Sequence, residues 1–168
     1  MEFFEALETR RSIRSFLPDP ISEADIAKMI KAGSLAPSAM NKQPWHFVVV
    51  TDRAVLDELS VRHPHCRFAD EAPLAIVVAG EPDSVTGDFW IQDCSAATEN
   101  ILLAARALGI ASVWCGVHPV KDRVDAVSAV LKLPPHIIPL SLIVLGRTSK
   151  EFTTAHRGNP FKVHRNSW

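Results

Sequence analysis

Three arginines and a hydroxyl fall within five positions, Arg10-Arg11-Ser12-Ile13-Arg14. Further along, the chain reads Ala36-Pro37-Ser38-Ala39-Met40-Asn41-Lys42-Gln43-Pro44-Trp45-His46-Phe47 and runs straight into Val48-Val49-Val50. Guanidinium groups are planar, always charged and bidentate, which suits them to a phosphate with its several acceptor oxygens. A polar turn between a helix end and a buried strand can present Ser38, Asn41 and Gln43 to the edge of a heteroaromatic ring. Together the two stretches point to a flat, phosphorylated ligand. Each also has a plainer reading. Cations at a helix C-terminus are favoured by the macrodipole without any ligand, and asparagine in a turn commonly satisfies its own backbone.

Other chemistries find less support. The seven glycines form neither Gly-x-Gly-x-x-Gly nor Gly-x-x-x-x-Gly-Lys, so a resident dinucleotide and a P-loop are both unsupported, and a nicotinamide cofactor would have to visit rather than stay. His63, His65 and Cys66 lie close together, and Cys115 and His118 are separated by two residues. Zinc sites usually pair their ligands on tight turns, whereas Cys115 falls inside an apolar run and His63-Pro64-His65 reads as surface loop, so no metal site is expected. No Gly-x-Ser-x-Gly elbow exists and no thiol has an evident activating partner, which leaves no classical catalytic residue. The basic tail of His156, Arg157, Lys162, His164 and Arg165 reads as a solvated end, although Arg157 can close an anion site from a distance.

The elements that must position these residues follow from periodicity. Phe3, Phe4 and Leu7, then Ile13 and Phe16, mark a short amphipathic helix that carries Arg10 and Arg14 on one side of a turn and stops before Pro18 and Pro20. Ser22, three residues before Asp25, caps a second helix through Ile26, Met29, Ile30, Ala32 and Leu35. Apolar runs at Phe47–Val50, Leu74–Ala79, Ala111–Val117 and Leu140–Leu145 predict strands of one sheet covered on both faces. Helices at Ala54–Ser60, Asp88–Leu108 and Val120–Leu131 alternate with them in a mixed α and β pattern. The helix over 88–108 is apolar nearly all round and needs two partners, which leaves a monomer core and a homodimer seam equally open. Asp88, Asp93, Glu99 and Arg106 interrupt it too often for a membrane span.

Composition bounds the rest. The 168 residues suit a single domain, residues 1–168. A net charge of −1 gives no reason to expect nucleic acid or a membrane surface as partner. Three cysteines and an acidic N-terminus without a long apolar run are those expected of a cytoplasmic protein with reduced thiols.

Four ordered motifs resemble the nitroreductase family of FMN-dependent oxidoreductases: Arg10 to Phe16, Ala36 to Phe47, Asp93 to Gly109 with Asn100 inside it, and Ser112-Val113-Trp114-Cys115-Gly116 followed by Leu133-Pro134 and Pro139 to Gly146. The resemblance implies an α+β fold with a mainly antiparallel sheet flanked by helices, assembled as an intertwined homodimer with FMN at the subunit interface. It implies that Arg10, Arg11 and Ser12 hold the phosphate and ribityl chain, with Arg14 at the pyrimidine edge. Pro37, Ser38, Ala39, Met40 and Asn41 would come from the partner subunit, Cys115 and Gly116 would lie along the ring, and Arg157 would return to the phosphate. NADH or NADPH would be the transient reductant and a nitroaromatic or quinone-like small molecule the acceptor, in a ping-pong scheme. Many relatives carry lysine where Arg14 stands. Other family members dehydrogenate bound substrates or break down flavins, and a chain that stores or senses FMN without turnover would carry the same motifs.

Overall fold

The apolar runs become an antiparallel sheet. The computed structural model describes residues 1–154 and 162–168. Its strands are β1 (Trp45–Val50), β2 (Leu74–Gly80), β3 (Ala111–Gly116) and β4 (Ile138–Gly146), in the order β1-β2-β4-β3, with each neighbouring pair antiparallel. One row crosses the whole sheet, with Val48 opposite Val77, Val77 opposite Leu142 and Leu142 opposite Cys115.

Antiparallel sheets often leave one face wet, but here both faces are covered, which is why β2 and β4 carry apolar residues without alternation. Leu74, Ile76, Val78, Ile143 and Leu145 pack beneath α2 (Glu23–Ser34) and α4 (Phe89–Ala107). Ala75, Val77, Leu142, Val144, Val113 and Cys115 face α3 (Arg53–Arg62) and α5 (Lys121–Leu131). Every residue of β2 is buried. The edge strand β1 is less covered than its sequence suggests: His46 and Val49 are exposed and Phe47 and Val48 half-buried. Coverage falls off there because β1 has only one strand neighbour and lies at the margin of both helix layers.

The second helix begins where expected. The Ser22 hydroxyl accepts from the Asp25 N–H at 3.2 Å and donates to the Asp25 carboxylate at 2.9 Å, satisfying an amide that the first turn leaves open. The first helix is shorter than its periodicity predicts. Helix α1 spans Phe3–Thr9, and Arg10 already has extended backbone, so Arg10 and Arg14 do not share a helical turn. Past α1 the chain follows the rim of the sheet, the Ile13 N–H bonding the Ser112 carbonyl at 3.1 Å and the Leu17 N–H the Arg147 carbonyl at 2.8 Å. Ile13 and Phe16 are buried on the α3/α5 side. Their spacing of three suits a helix, but backbone groups at the sheet margin offer stronger partners and override it.

Helix α4 lies against β2, β3 and β4 and against α2. Its Thr98 hydroxyl meets that of Ser141 at 2.9 Å, and the Asn100 amide donates to the Ala32 carbonyl at 3.0 Å. Close approach to β2 requires glycine at position 80: a Cβ there would stand 2.4 Å from the Trp90 ring. Gly80→Ala is therefore expected to destabilise the fold by about 1–3 kcal/mol through overpacking, seen as a lowered urea midpoint with an unchanged m-value.

Candidate functional site

The arginine segment reaches the sheet with its side chains in different settings. The Arg10 Nε lies 3.3 Å from Glu99 Oε1 on α4, and the Arg10 side chain is only 16% exposed. Arg11 Nη1 reaches Thr153 Oγ1 at 3.5 Å, Ser12 is exposed, and Arg14, also exposed, lies 3.5 Å from the Ser12 carbonyl. A buried fourth guanidinium, Arg106, supports this corner. Its Nε donates to Thr9 Oγ1 at 2.8 Å and its charge sits 4.1 Å above the Phe152 ring, a cation–π contact that ties the end of α1 to the segment carrying Thr153. Sequence reasoning noted Arg106 only as a charge within an apolar helix. That anomaly was the available signal of a partnered, buried group.

At the far end of β3, Cys115 is buried and Gly116 exposed, with open space where a Gly116 side chain would stand. The Gly116 carbonyl accepts from Arg123 Nη1 at 3.0 Å and lies 3.1 Å from His63 Nε2. The Cys115 Sγ lies 3.8 Å from the His65 carbonyl oxygen, next to Cys66, and the neighbouring Cys66 thiol and the charges of Arg14 and Arg123 favour the Cys115 thiolate against burial. Arg14, Cys115 and Gly116 therefore share one neighbourhood, together with three residues the sequence did not place there: His63, Cys66 and Arg123.

His63 corrects the surface-loop reading. His65 is exposed, but His63 is 1% exposed, and its Nδ1 accepts from the His65 N–H at 3.3 Å. A carbonyl at Nε2 and an N–H at Nδ1 together fix the neutral tautomer with its proton on Nε2. The candidate metal ligands do not converge: His118 stacks edge-on with Trp90 at 4.9 Å, and among the described residues no group of three or more His, Cys, Asp or Glu is placed to hold a metal ion.

The second stretch forms a strained loop. Met40, Asn41 and Gln43 have φ of 51°, 54° and 51°, a left-handed run that non-glycine residues adopt only when the surroundings hold it. Ser38 Oγ accepts from the Gln43 N–H at 3.0 Å, and Asp93 Oδ1 on α4 accepts from the Ala39 N–H at 3.0 Å. Asp93 is 6% exposed, and its Oδ2 has no partner among the described residues. Pro37, Met40 and Asn41 face outward, with Ser38 and Ala39 half-buried. Among the described residues no hydrogen bond or ion pair joins this loop to the arginine segment. Asp93 and Glu99, which anchor the two, are six residues apart on α4, about 9 Å along its axis and on different flanks. One chain thus holds the two stretches at separate places on α4. Arg157 lies outside the described residues.

Burial pushes the His63 imidazole below its ordinary pKa of 6.5, partly opposed by the Gly116 carbonyl. The unfolded chain therefore takes up the proton first as pH falls, so stability is full above 6.5 and declines below it. His63→Gln is expected to flatten that decline, measured as the difference in urea midpoint between pH 7.5 and about 5.5.

Comparison with known proteins agrees with this architecture. The family model described as "Nitroreductase family" matches residues 7–63 and 60–147. An Archaeoglobus fulgidus protein named provisionally as an NADH dehydrogenase/NAD(P)H nitroreductase is 46% identical, over 99% of both chains. A Parabacteroides distasonis crystal structure under the same provisional name superposes with a TM-score of 0.95 at 38% identity, covering 99% of this chain and 98% of that one. An FMN-dependent nitroreductase from Clostridium difficile does so at 0.92 and 30% identity, covering 98% and 99%. With the α+β fold and the ordered motifs in place, and a family model that matches most of its length, the chain belongs to the nitroreductase family.

Proposed function

We propose that this chain is an FMN-dependent oxidoreductase that moves hydride from NADH or NADPH to nitroaromatic or quinone-like acceptors, in the cytoplasm and as a homodimer of single-domain chains. The observation that carries this reading is the arginine segment held against β3 by the Ile13–Ser112 bond, which brings the charge of Arg14 to bear on Cys115 beside the open edge at Gly116. The donor set fits a phosphorylated flavin: the exposed Arg14, the half-buried Arg11, the more deeply set Arg10 and the Ser12 hydroxyl at one end, and an edge without a side chain at the other.

In this reading Arg10, Arg11 and Ser12 hold the phosphate and ribityl chain, with Arg157 completing the grip. Arg10 already spends its Nε on Glu99, which leaves its two terminal nitrogens for the ligand and fixes their direction. Arg14 faces the pyrimidine edge, where two-electron reduction leaves negative charge, and a fixed cation there favours the reduced form. Bound FMN would supply hydride acceptance and release. The protein supplies orientation and charge, and needs no acid–base dyad. Cys115 and Gly116 line the ring. Reductant and acceptor occupy the same open face in turn, a ping-pong order that accounts for the lack of a dinucleotide fingerprint.

Two half-sites on one chain support a dimer in which Pro37, Ser38, Ala39, Met40 and Asn41 reach the partner's arginines. The surface agrees with it. Phe3, Phe4 and Leu35 are 62%, 72% and 72% exposed, and an apolar groove of about 410 Å³ runs between α1, α2 and the half-open flank of α4 at Asn100, Leu103 and Ala107. A contiguous apolar face of this kind marks an interaction surface, and a second copy brings the same face to it. Helix α4 already packs on the sheet and on α2, and a second copy would cover its remaining half-open flank.

Purified protein is expected to be yellow, dimeric and bleached by anaerobic NADH or NADPH, then recoloured by a quinone. Bleaching that fails with both reductants would point to a storage or sensing role. Arg10→Ala should weaken FMN binding by about 1.5–3 kcal/mol, the scale of a charge-assisted hydrogen bond, by calorimetric titration. Arg14→Ala should lower the flavin midpoint potential by about 30–60 mV, the same energy spread over two electrons, by equilibrium dye reduction.

A further inference from the structure

We propose that Cys66 and Cys115 form a dithiol that hydrogen peroxide oxidises to a disulfide directly beneath the Gly116 edge. The two cysteines come from distant parts of the chain, one from the turn after α3 and the other from β3, and the fold packs them into the same core. Cys66 is 0% and Cys115 5% exposed. The Cys115 Sγ lies 3.8 Å from the carbonyl oxygen of His65, the residue joined to Cys66, which puts the two thiols close enough for each to shift the other's titration. Because Cys66 follows directly on that carbonyl and shares the cluster with Cys115, side-chain rotation can bring the two sulfurs to the bonded distance of about 2 Å.

The pair is also chemically unequal. The neighbouring Cys66 thiol and the charges of Arg14 and Arg123 push the Cys115 thiol down against the opposing effect of burial, whereas Cys66 is pushed up by its neighbour Cys115 and by burial. A thiol stabilised as thiolate reacts first with peroxide, and the exposed Gly116 beside it gives a small oxidant a way in. The Cys115 sulfur attacks one peroxide oxygen. An S–O bond forms, the O–O bond breaks, and the thiol's proton leaves with the departing hydroxide as water. The Cys66 sulfur then attacks the Cys115 sulfenic acid. The S–S bond forms, the S–O bond breaks, and the Cys66 proton leaves in a second water. One peroxide is reduced by two electrons, and the two thiols are oxidised by two.

Cys94 is an internal control. It is equally buried, but on the other face of the sheet, with its thiol donating to the Ala79 carbonyl at 3.7 Å, and burial and Asp93 push it up to about 12. The disulfide would tie the turn carrying His63 to β3 and fix the His63 contact with the Gly116 carbonyl. The dithiol stands on the geometry of this chain. Only its effect on flavin binding rests on the function proposed above.

The test treats the reduced full-length protein, with and without FMN, with hydrogen peroxide. Catalase quenching, denaturation, alkylation and peptide mass analysis follow. A Cys66–Cys115 cross-linked peptide, lighter by two hydrogens, with Cys94 alkylated, is the expected result. Cys66→Ser should stop at a dimedone-trapped sulfenic acid on Cys115, and wild-type protein alone suffices if that variant does not fold. Three alkylatable thiols after peroxide, or oxidation that spares Cys115, would overturn the proposal. In a second arm, FMN affinity is compared between reduced and oxidised protein, with a change of about fivefold or more expected, the scale of coupling between sites. An unchanged affinity on cross-linked protein would overturn the coupling. Protein that takes up no FMN in either state would overturn the flavin reading and leave the cross-link result standing.

Discussion

Two backbone hydrogen bonds at the margin of the sheet, from Ile13 to Ser112 and from Leu17 to Arg147, decide where the arginines go. They hold the segment after α1 in extended form and bury Ile13 and Phe16, so that Arg10, Arg11, Ser12 and Arg14 are carried past the start of β3. Without that pairing the same residues would continue a surface helix and address solvent. The rigidity of the attachment comes from the sheet itself, whose central strands are buried on both faces and have no freedom to yield.

Helix α4 works as the keel of the site because its few polar residues are spent on anchoring. Asp93 holds the left-handed loop through the Ala39 amide, Glu99 orients Arg10, Asn100 ties down α2, and Arg106 joins α1 to the segment at Phe152. Each sits on a flank that faces a different neighbour. A single helix thereby fixes the spacing of the loop and the arginine segment and carries an apolar stripe beyond Glu99, at Leu103, Ala104 and Ala107. In the proposed dimer, that stripe and the separated half-sites are one design: the surface that joins the chains also completes the cofactor site.

The end of β3 concentrates polar chemistry in an otherwise apolar layer. The Gly116 carbonyl gathers His63 and Arg123, and one residue earlier Cys115 meets Cys66 under the influence of two guanidiniums. A small environment of low polarity strengthens each of these interactions, so small changes there have a direct route to the open edge beside Gly116.

Most of the elements were legible in the sequence, since strands buried on both faces read as unbroken apolar runs and Ser22 announces its helix by capping. The motifs at Arg10–Phe16 and Ala36–Phe47 were legible as chemistry. What could not be read was the company each residue keeps. Helix spacing at Ile13 and Phe16 was outbid by the sheet margin, His63 looked like loop because its burial depends on α3 meeting β3, and Asp93 and Arg106 looked like interruptions because their partners lie far away in sequence. The sequence by itself determined the layers and the supply of guanidinium cations, because periodicity and residue chemistry are local properties. Only the tertiary structure decided which groups share a site, because burial, contact and field arise where distant segments pack together.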